Sequence, residues 1–121
     1  LAKVDVMLYP CDPIRFTEGF GVAVLDAMAA GVIPIITDAD AFGEIYQDSG
    51  AVVVPRRDGR KWTDTYLEEV LRLLGNREEL EDRRIKCREF VKQYDWSVVA
   101  ARWQEMIERE VARKKENACV P

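Results

Sequence analysis

The chain has 121 residues, of which 48% are hydrophobic and 33% charged, a composition typical of one soluble globular domain. Its net charge of -4 and its pI near 5.0 argue against sequence-independent binding of nucleic acid, which depends on clustered positive charge. The absence of histidine excludes imidazole metal ligands and Ser-His or Cys-His catalysis within this chain.

A strand, a loop and an apolar helix are predicted first. Val4–Tyr9 reads VDVMLY, an apolar run that Pro10 closes, and turn-forming residues follow it. The stretch Thr17–Gly31 opens on a glycine-spaced turn and continues as a helix with apolar residues on every side, so we expect this helix to be covered on every side. Gly31 is expected to be its left-handed C-terminal cap, with Pro34 preventing continuation.

Two more strands and a short helix complete a β-α-β-α-β order. Val32–Thr37 is predicted as a strand with Pro34 near its start, Ala41–Asp48 as a couple of helical turns, and Ala51–Val54 as a third strand. Because these runs are apolar throughout, they suit parallel strands covered on both faces. The predicted fold class is α/β, with part of a doubly wound Rossmann-like parallel sheet followed by C-terminal helices.

From Trp62 onward the hydrophobic period is helical. The basic loop Arg56–Lys61 precedes this helix, and we expect a solvated surface loop there, with phosphate contact as the alternative. The helix is predicted to end at Gly75, with Thr65-x-x-Glu68 as a candidate capping box. Its predicted apolar stripe consists of Tyr66, Val70, Leu71, Leu73 and Leu74.

Two further amphipathic helices are predicted after Gly75. Asn76 followed by Glu79 indicates a helix start, and the charged helix runs to about Tyr94. A break at Asp95-Trp96-Ser97 then leads into a closing helix that ends in basic residues, with a frayed tail after Lys115. The predicted apolar stripes are Leu80, Ile85, Phe90 and Val91 in the first helix, and Trp96, Val99, Ala100, Trp103, Ile107 and Val111 in the second.

The cysteines and the apolar runs bear on compartment. Cys11, Cys87 and Cys119 are odd in number and lack Cys-x-x-Cys spacing, so we expect free thiols. No apolar run approaches the roughly 20 residues of a spanning helix, and the first ten residues do not form a signal peptide. We therefore expect a cytoplasmic protein without a transmembrane segment. The abrupt start near a strand favours a fragment of a larger protein.

The chemistry is concentrated at the start of the first helix. Gly19 and Gly21 allow a tight turn and close approach of a ligand, and the helix directs its N–H groups at the same place, which favours an anion. This loop follows the first strand, and ligands of open α/β sheets bind beyond the C-terminal ends of strands. Glu18 adds an acceptor for sugar hydroxyls. Asp26 lies two helical turns further, roughly 12 Å along the axis, so the acids suit two ends of one elongated ligand.

Each acid also has a structural interpretation. Glu18 is equally compatible with a solvated loop residue. Asp26 is compatible with a buried acid that bonds a backbone group or an arginine, because an unpaired buried carboxylate is costly. A generic Rossmann dehydrogenase half is disfavoured, because the Gly-x-Gly-x-x-Gly pattern with a ribose-binding acid about 20 residues later is missing.

Four segments between about Val4 and Val54 together resemble the C-terminal half of retaining glycosyltransferases of family four: VDVMLYP, TEGFGVAVLDAMAAGVIPIIT, GEI and GAVVVP. That family has the two-domain GT-B fold. Its Glu-x7-Glu signature stands here as Glu18-x7-Asp26. Tyr94-Asp95-Trp96-Ser97 resembles the aromatic break before the family's closing helices.

The resemblance implies a role for each residue of the turn. Glu18 would be the acid of the catalytic site and would bind a hydroxyl of the donor sugar, while Asp26 would hold the ribose. Backbone amides of four residues would reach the sugar and the diphosphate: Gly19, Phe20, Gly21 and Val22. Such a protein transfers a sugar from a nucleotide-diphospho-sugar with retention of configuration, usually without a metal or another cofactor.

The sequence departs from the family pattern at three places. Asp26 is one methylene shorter than the usual Glu. Asp40-Ala41 stands where a glycine pair is common. Gly43 stands where a proline often precedes the acid that is Glu44 here. These departures bear on the identity of the donor.

The family's N-terminal acceptor domain and the first half of its donor domain have no counterpart in the sequence. We therefore expect one incomplete domain over residues 1–121, with a β-α-β-α-β part at 1–55 and a helical part at 62–115. The leading interpretation is the donor-binding segment of a retaining glycosyltransferase with an unidentified acceptor, inactive by itself. The alternative is a noncatalytic nucleotide-sugar or phosphate-binding module of the same fold.

Overall fold

The computed structural model describes residues 4–11, 19–55 and 61–118 of the chain. Its elements are β1 Val6–Tyr9, α1 Val22–Ala29, β2 Ile33–Thr37, α2 Phe42–Tyr46, β3 Val52–Val54, α3 Trp62–Leu74, α4 Arg77–Val91 and α5 Trp96–Ala118, with a 3₁₀ turn at Lys92–Tyr94. They group into two compact units, Leu1–Val91 and Lys92–Pro121. The basic loop expected at Arg56–Lys61 lies outside the described residues except for its last residue.

The three strands form a parallel sheet in the order β1-β2-β3. Pro34 lies in the central strand, but its lack of an N–H removes none of the hydrogen bonds between the strands. The N–H of Ile33 donates to the carbonyl of Asp5 on the β1 side, so the nitrogen of Pro34 faces the β3 side, and pairing with β3 begins only at Ile35 opposite Val52. The sheet and the helices that follow it confirm the predicted α/β fold class.

Helices cover both faces of the sheet, because alternate residues of β2 point to opposite sides. Ile33 and Ile35 pack with α3, whereas Ile36 packs with α1, α2 and α4. The core against α3 consists of Ile33, Ile35, Val52, Val54, Tyr66, Val70 and Leu73. The core on the other face includes Val24, Met28, Ile36, Phe42, Tyr46, Ala51 and Cys87. This two-sided burial is why the strands read as continuous apolar runs.

The C-terminal end of α1 is a Schellman motif around Gly31, as the sequence predicts. Gly31 has a φ of 76°, and its N–H donates to the carbonyl of Met28 at 2.9 Å. The N–H of Val32 donates to the carbonyl of Ala27 at 2.9 Å. The Nε of Arg84 on α4 donates to the Gly31 carbonyl at 2.9 Å, which attaches α4 to this cap.

The expectation that α1 is covered on every side is wrong. Val24, Ala27 and Met28 are buried, but Val22 is 63% exposed, and Asp26 is exposed on the same side of the helix. An apolar composition permits burial of α1 on every side. In the described part of the chain, however, the sheet and the neighbouring helices cover only one side of this helix. The start of α1 therefore borders an open surface.

The helix α3 begins at Trp62 and ends before Gly75, as predicted, but the proposed capping box is wrong. Lys61 occupies the N-cap position, so Thr65 lies inside the helix, where its buried Oγ1 has no hydrogen-bond partner in the described part of the chain. Within the predicted stripe, Leu71 and Leu74 are exposed. The buried residues are Tyr66, Val70 and Leu73.

The tyrosine of this helix connects two strands. The Tyr66 hydroxyl accepts the N–H of Tyr9 at 3.1 Å and donates to the carbonyl of Ile35. Burial raises the pKa of Tyr66 to about 12, with a smaller contribution in the same direction from Cys11. The hydroxyl therefore stays protonated and serves both β1 and β2.

The start of α4 is capped as predicted. The side-chain oxygen of Asn76 accepts the N–H of Glu79 at 3.1 Å, and its amide nitrogen donates to the Glu79 carboxylate at 3.3 Å. The predicted apolar stripe is wrong at Ile85, which is exposed, because α4 presents Cys87 to the core instead.

Glu79 also joins α3 to α4 electrostatically. Its carboxylate lies 2.5 Å from Arg72 and 2.8 Å from Arg83. Arg83 in turn donates to the carbonyls of Gly50 and Ala51 at the entry to β3. Hydrogen bonds from Arg72 and then Arg83 lower the pKa of Glu79 to about 2.

The two described cysteines are free thiols, as expected, while Cys119 lies outside the described residues. Cys11 and Cys87 are both buried, and burial raises the pKa of Cys87 to about 12. Neither thiol therefore has the electropositive, partly exposed surroundings of a reactive cysteine.

The second unit consists of the 3₁₀ turn and α5. The N–H of Ser97 donates to the Asp95 carboxylate at 2.8 Å, which confirms the predicted break there. The helix continues to Ala118, so the expectation of fraying directly after Lys115 is wrong, while the last three residues of the predicted tail lie outside the described residues. None of the helices in the described ranges is both long and apolar enough to cross a membrane.

The Glu79 network makes stability depend on pH. An acid with a lowered pKa in the folded state stabilises the fold above its ordinary pKa of 4.5, and this contribution is lost as the pH falls towards about 2. We expect Glu79→Gln to lower the free energy of unfolding at pH 7 by about 1 kcal/mol, measured by urea denaturation, because glutamine keeps the cap but not the charge.

The control is Glu78→Gln, which removes the same charge from the exposed neighbouring position. We expect less than half the loss for this variant. The difference between parent and Glu79→Gln is expected to shrink between pH 5 and pH 3. Equal losses for both variants, or a loss that does not change with pH, would contradict the assigned network.

Candidate functional site

The residues Gly19, Phe20 and Gly21 and the start of α1 form the candidate site at the carboxyl edge of the sheet. Gly21 is the N-cap of α1 with φ 70° and ψ 59°, and its carbonyl accepts the N–H of Val24 at 2.8 Å. The helix therefore begins directly after a left-handed residue. Its first N–H groups have no partner within the helix and carry the positive end of the helix dipole.

Gly21 has two separate reasons to be glycine, whereas Gly19 has neither. A Cβ on Gly21 would lie 2.8 Å from Cε1 of Phe42 and 3.3 Å from Cγ2 of Val24, and the positive φ strains any other residue. At Gly19 no heavy atom of the described residues lies within 4 Å of the added Cβ, and its φ is not in the left-handed range. The spacing alone does not separate these two glycines.

The support beneath the turn was not predicted from the sequence. The Tyr46 hydroxyl on α2 donates to the carbonyl of Phe20 at 2.7 Å, and the ring of Phe42 packs beneath Gly21. The available signal was an aromatic pair spaced four residues apart, which places both rings on one side of a short helix.

The hydroxyl of Thr37 holds the beginning of the same loop. Thr37 is the last residue of β2, and its Oγ1 accepts the N–H of Cys11 at 2.9 Å and donates to the Cys11 carbonyl at 2.9 Å. Both groups are buried. The signal for this contact was a threonine closing an otherwise apolar strand.

The loop after β2 keeps a glycine-like backbone without a glycine. Asp40 has a φ of 51° and is the one non-glycine residue with positive φ in the described ranges. It stands where the resemblance expects the first glycine of a pair. Aspartate is among the side chains that tolerate this conformation best. At Gly43, an added Cβ would meet the carboxylate of Asp38, an exposed side chain that a larger residue would have to displace.

The predicted site residues fall into three groups. Glu18 lies outside the described residues. Gly19 and Phe20 are exposed, and Gly21 is buried beneath them. Val22 and Asp26 are exposed on one side of α1, four residues apart and therefore roughly 6 Å along its axis. The structure thus brings the turn and Asp26 to one open surface.

The buried-acid interpretation of Asp26 is wrong. Its side chain is exposed, and among the described residues its carboxylate forms neither a salt bridge nor a hydrogen bond. Among the described residues, Asp26 is therefore not needed to balance a buried charge.

Comparison with known proteins agrees with this architecture. Residues 1–76 match the family model described as glycosyl transferases group 1. The chain belongs to the group 1 glycosyltransferases. The three-stranded parallel sheet followed by helices is consistent with a Rossmann-like half-domain of the GT-B fold in this family.

The relatives of this group 1 chain include mannosyltransferases. Over 94 residues it is 37% identical to a phosphatidyl-myo-inositol mannosyltransferase of Mycobacterium leprae, an alignment that covers 75% of this chain and 24% of the relative. Over 86 residues it is 33% identical to a GDP-mannose:cellobiosyl-diphosphopolyprenol alpha-mannosyltransferase of Xanthomonas oryzae, covering 71% and 22%. The chain spans about a quarter of the length of these relatives.

Substitution of the two glycines separates their roles. We expect Gly21→Ala to lower the free energy of unfolding by about 2 kcal/mol, because the new Cβ both strains the backbone and meets the Phe42 ring. Gly19→Ala is the matched control and is expected to stay within about 0.5 kcal/mol of the parent. Chemical denaturation measures both, and equal losses would contradict the assigned turn geometry.

Proposed function

We propose that this chain is the donor-binding part of a retaining glycosyltransferase that uses a nucleotide-diphospho-sugar. The observation that carries the proposal is the left-handed turn at Gly21, which lies at the carboxyl edge of a parallel sheet and begins α1. This is where open α/β sheets bind ligands, and a helix start favours an anion. The family membership supplies the class of reaction.

Each part of such a donor has a proposed partner. The diphosphate binds the backbone amides of the turn and of the first turn of α1, contributed by Gly19, Phe20, Gly21 and Val22. Asp26 binds the ribose from the exposed side of the helix, where its carboxylate is available. Glu18, proposed as the catalytic-site acid, binds a hydroxyl of the sugar.

GDP-mannose is the proposed donor. The names of the relatives share mannosyl transfer, and one of them states GDP-mannose. Their named acceptors differ, a cellobiosyl-diphosphopolyprenol in one case and phosphatidyl-myo-inositol in the other. Support from the names therefore extends to the donor and not to the acceptor.

The proposed chemistry replaces the bond from the anomeric carbon to the diphosphate by a bond to an acceptor oxygen, with retention of configuration. Charge develops on the departing diphosphate, and N–H groups already oriented by the turn stabilise that charge without rearrangement. This chain would contribute the donor side alone. We propose that residues 1–121 are an incomplete domain, inactive without the rest of the protein.

Donor binding tests the proposal directly. We expect the purified protein to bind GDP-mannose in isothermal titration calorimetry, and Asp26→Asn to weaken this binding about tenfold through loss of a charged hydrogen-bond acceptor. Asp48→Asn is the matched control, because this exposed acid precedes β3 at the opposite end of the sheet. Both variants should unfold at the temperature of the parent.

Transfer activity separates an enzyme from a noncatalytic binding module. In the complete gene product, Glu18→Gln is expected to abolish mannosyl transfer without a change in melting temperature. Binding of GDP-mannose without transfer in the unmodified protein would favour the binding module. No binding by the parent protein, or equal binding by the Asp26 and Asp48 variants, would contradict the proposed donor site.

A further inference from the structure

We propose that Tyr46 is a positioning residue for the donor site, because its hydroxyl fixes the peptide between Phe20 and Gly21 so that the Gly21 N–H faces the donor. The inference rests on the proposed function for the identity of the donor. The orientation of the peptide, in contrast, follows from contacts in the structure.

The hydroxyl of Tyr46 meets the turn from beneath. It lies 2.7 Å from the carbonyl oxygen of Phe20 and 3.3 Å from that of Gly21. A tyrosine hydroxyl carries a single proton, so the shorter contact, with Phe20, is the principal hydrogen bond. The Gly21 carbonyl also accepts the N–H of Val24, the first bond of α1.

Because the peptide bond is planar, the hydrogen bond to the Phe20 carbonyl also fixes the direction of the Gly21 N–H. None of the described residues follows a cis peptide bond, so the Phe20 carbonyl and the Gly21 N–H lie in one plane and point in opposite directions. The carbonyl points down to the buried Tyr46 hydroxyl. The Gly21 N–H therefore points away from the core, to the side on which Phe20 and Val22 are exposed.

The tyrosine is itself held in place. Its side chain is fully buried, and its ring makes an edge contact with Phe42 at 5.5 Å and 84° and a tilted contact with Phe90 of α4 at 5.9 Å. Aromatic neighbours on two sides leave the hydroxyl little freedom to follow a moving turn. The hydroxyl is therefore a fixed point relative to which the turn is oriented.

The ring and the hydroxyl have separable roles. Packing against Phe42 and Phe90 needs only the ring, so phenylalanine at position 46 would retain it. The hydroxyl adds a polar group to a buried position, which is tolerated because it finds carbonyl partners in the turn. Removing the oxygen alone should release the Phe20–Gly21 peptide without opening the core.

The test compares Tyr46→Phe with Tyr66→Phe. Both changes delete a buried hydroxyl that donates to a backbone carbonyl, but the Tyr66 hydroxyl bonds Ile35 and Tyr9 and not the turn. We expect Tyr46→Phe to weaken GDP-mannose binding about three- to tenfold. Tyr66→Phe is expected to leave this binding unchanged and to lower the melting temperature at least as much as Tyr46→Phe does. Calorimetry and thermal unfolding provide the two measurements.

A second readout needs no donor. Amide hydrogen exchange of the unliganded protein, followed by NMR, reports how firmly the turn is held. Exchange at Val24 and Leu25, whose N–H groups donate to the Gly21 carbonyl, is expected to accelerate at least fivefold in Tyr46→Phe and to be unchanged in Tyr66→Phe, relative to the global exchange of each variant.

The outcomes distinguish this inference from the proposed function. If the parent binds no GDP-mannose, the proposed function fails, and the exchange rates alone decide whether Tyr46 orients the turn. If the parent binds and Tyr46→Phe binds equally well, Tyr46 is a core residue without a positioning role. Unchanged exchange at Val24 and Leu25 in Tyr46→Phe overturns the inference in either case.

Discussion

The left-handed conformation of Gly21 is the constraint on which the candidate site depends. It ends the loop from β1 and begins α1 in a single residue, so the N–H groups at the helix start face the carboxyl edge of the sheet. An added Cβ would lie only 2.8 Å from the buried Phe42 ring, so a larger residue could be accommodated only if this ring moved. Local backbone geometry and core packing thus require the same residue type, and they position the anion-binding surface that we propose.

Much of the fold was predictable because the period of the hydrophobic residues and the capping and turn residues indicate the same elements along most of the chain. The parallel order of the strands follows from apolar runs separated by helices, and the Gly31 and Asn76 caps follow from local hydrogen-bonding chemistry. Predictions of burial failed where contacts from other elements determine which side of a helix is covered. The apolar outer side of α1 and the exposed Ile85 of α4 show that composition permits burial, whereas contacts from other elements determine it.

The candidate site was predictable in its position and less so in its construction. Glycine spacing and the strand before it locate the turn, but nothing local distinguishes Gly21, which has a positive φ and a close contact with Phe42, from Gly19, which has neither among the described residues. Tyr46 and Thr37 reach the loop after β1 from 26 residues away, through hydrogen bonds that no short motif encodes. Such long-range contacts are specified only when the sheet register brings their elements together.

The most direct measurement is a GDP titration of the isotope-labelled protein followed by backbone amide resonances. We expect saturable shifts at Phe20, Gly21 and Val22, because the proposed diphosphate site lies at the start of α1. The start of α4 at Arg77 and Glu78 is a second capped helix terminus away from the sheet edge and should not respond. Shifts of equal size at both helix starts, or none at Gly21, would contradict a diphosphate site at this turn.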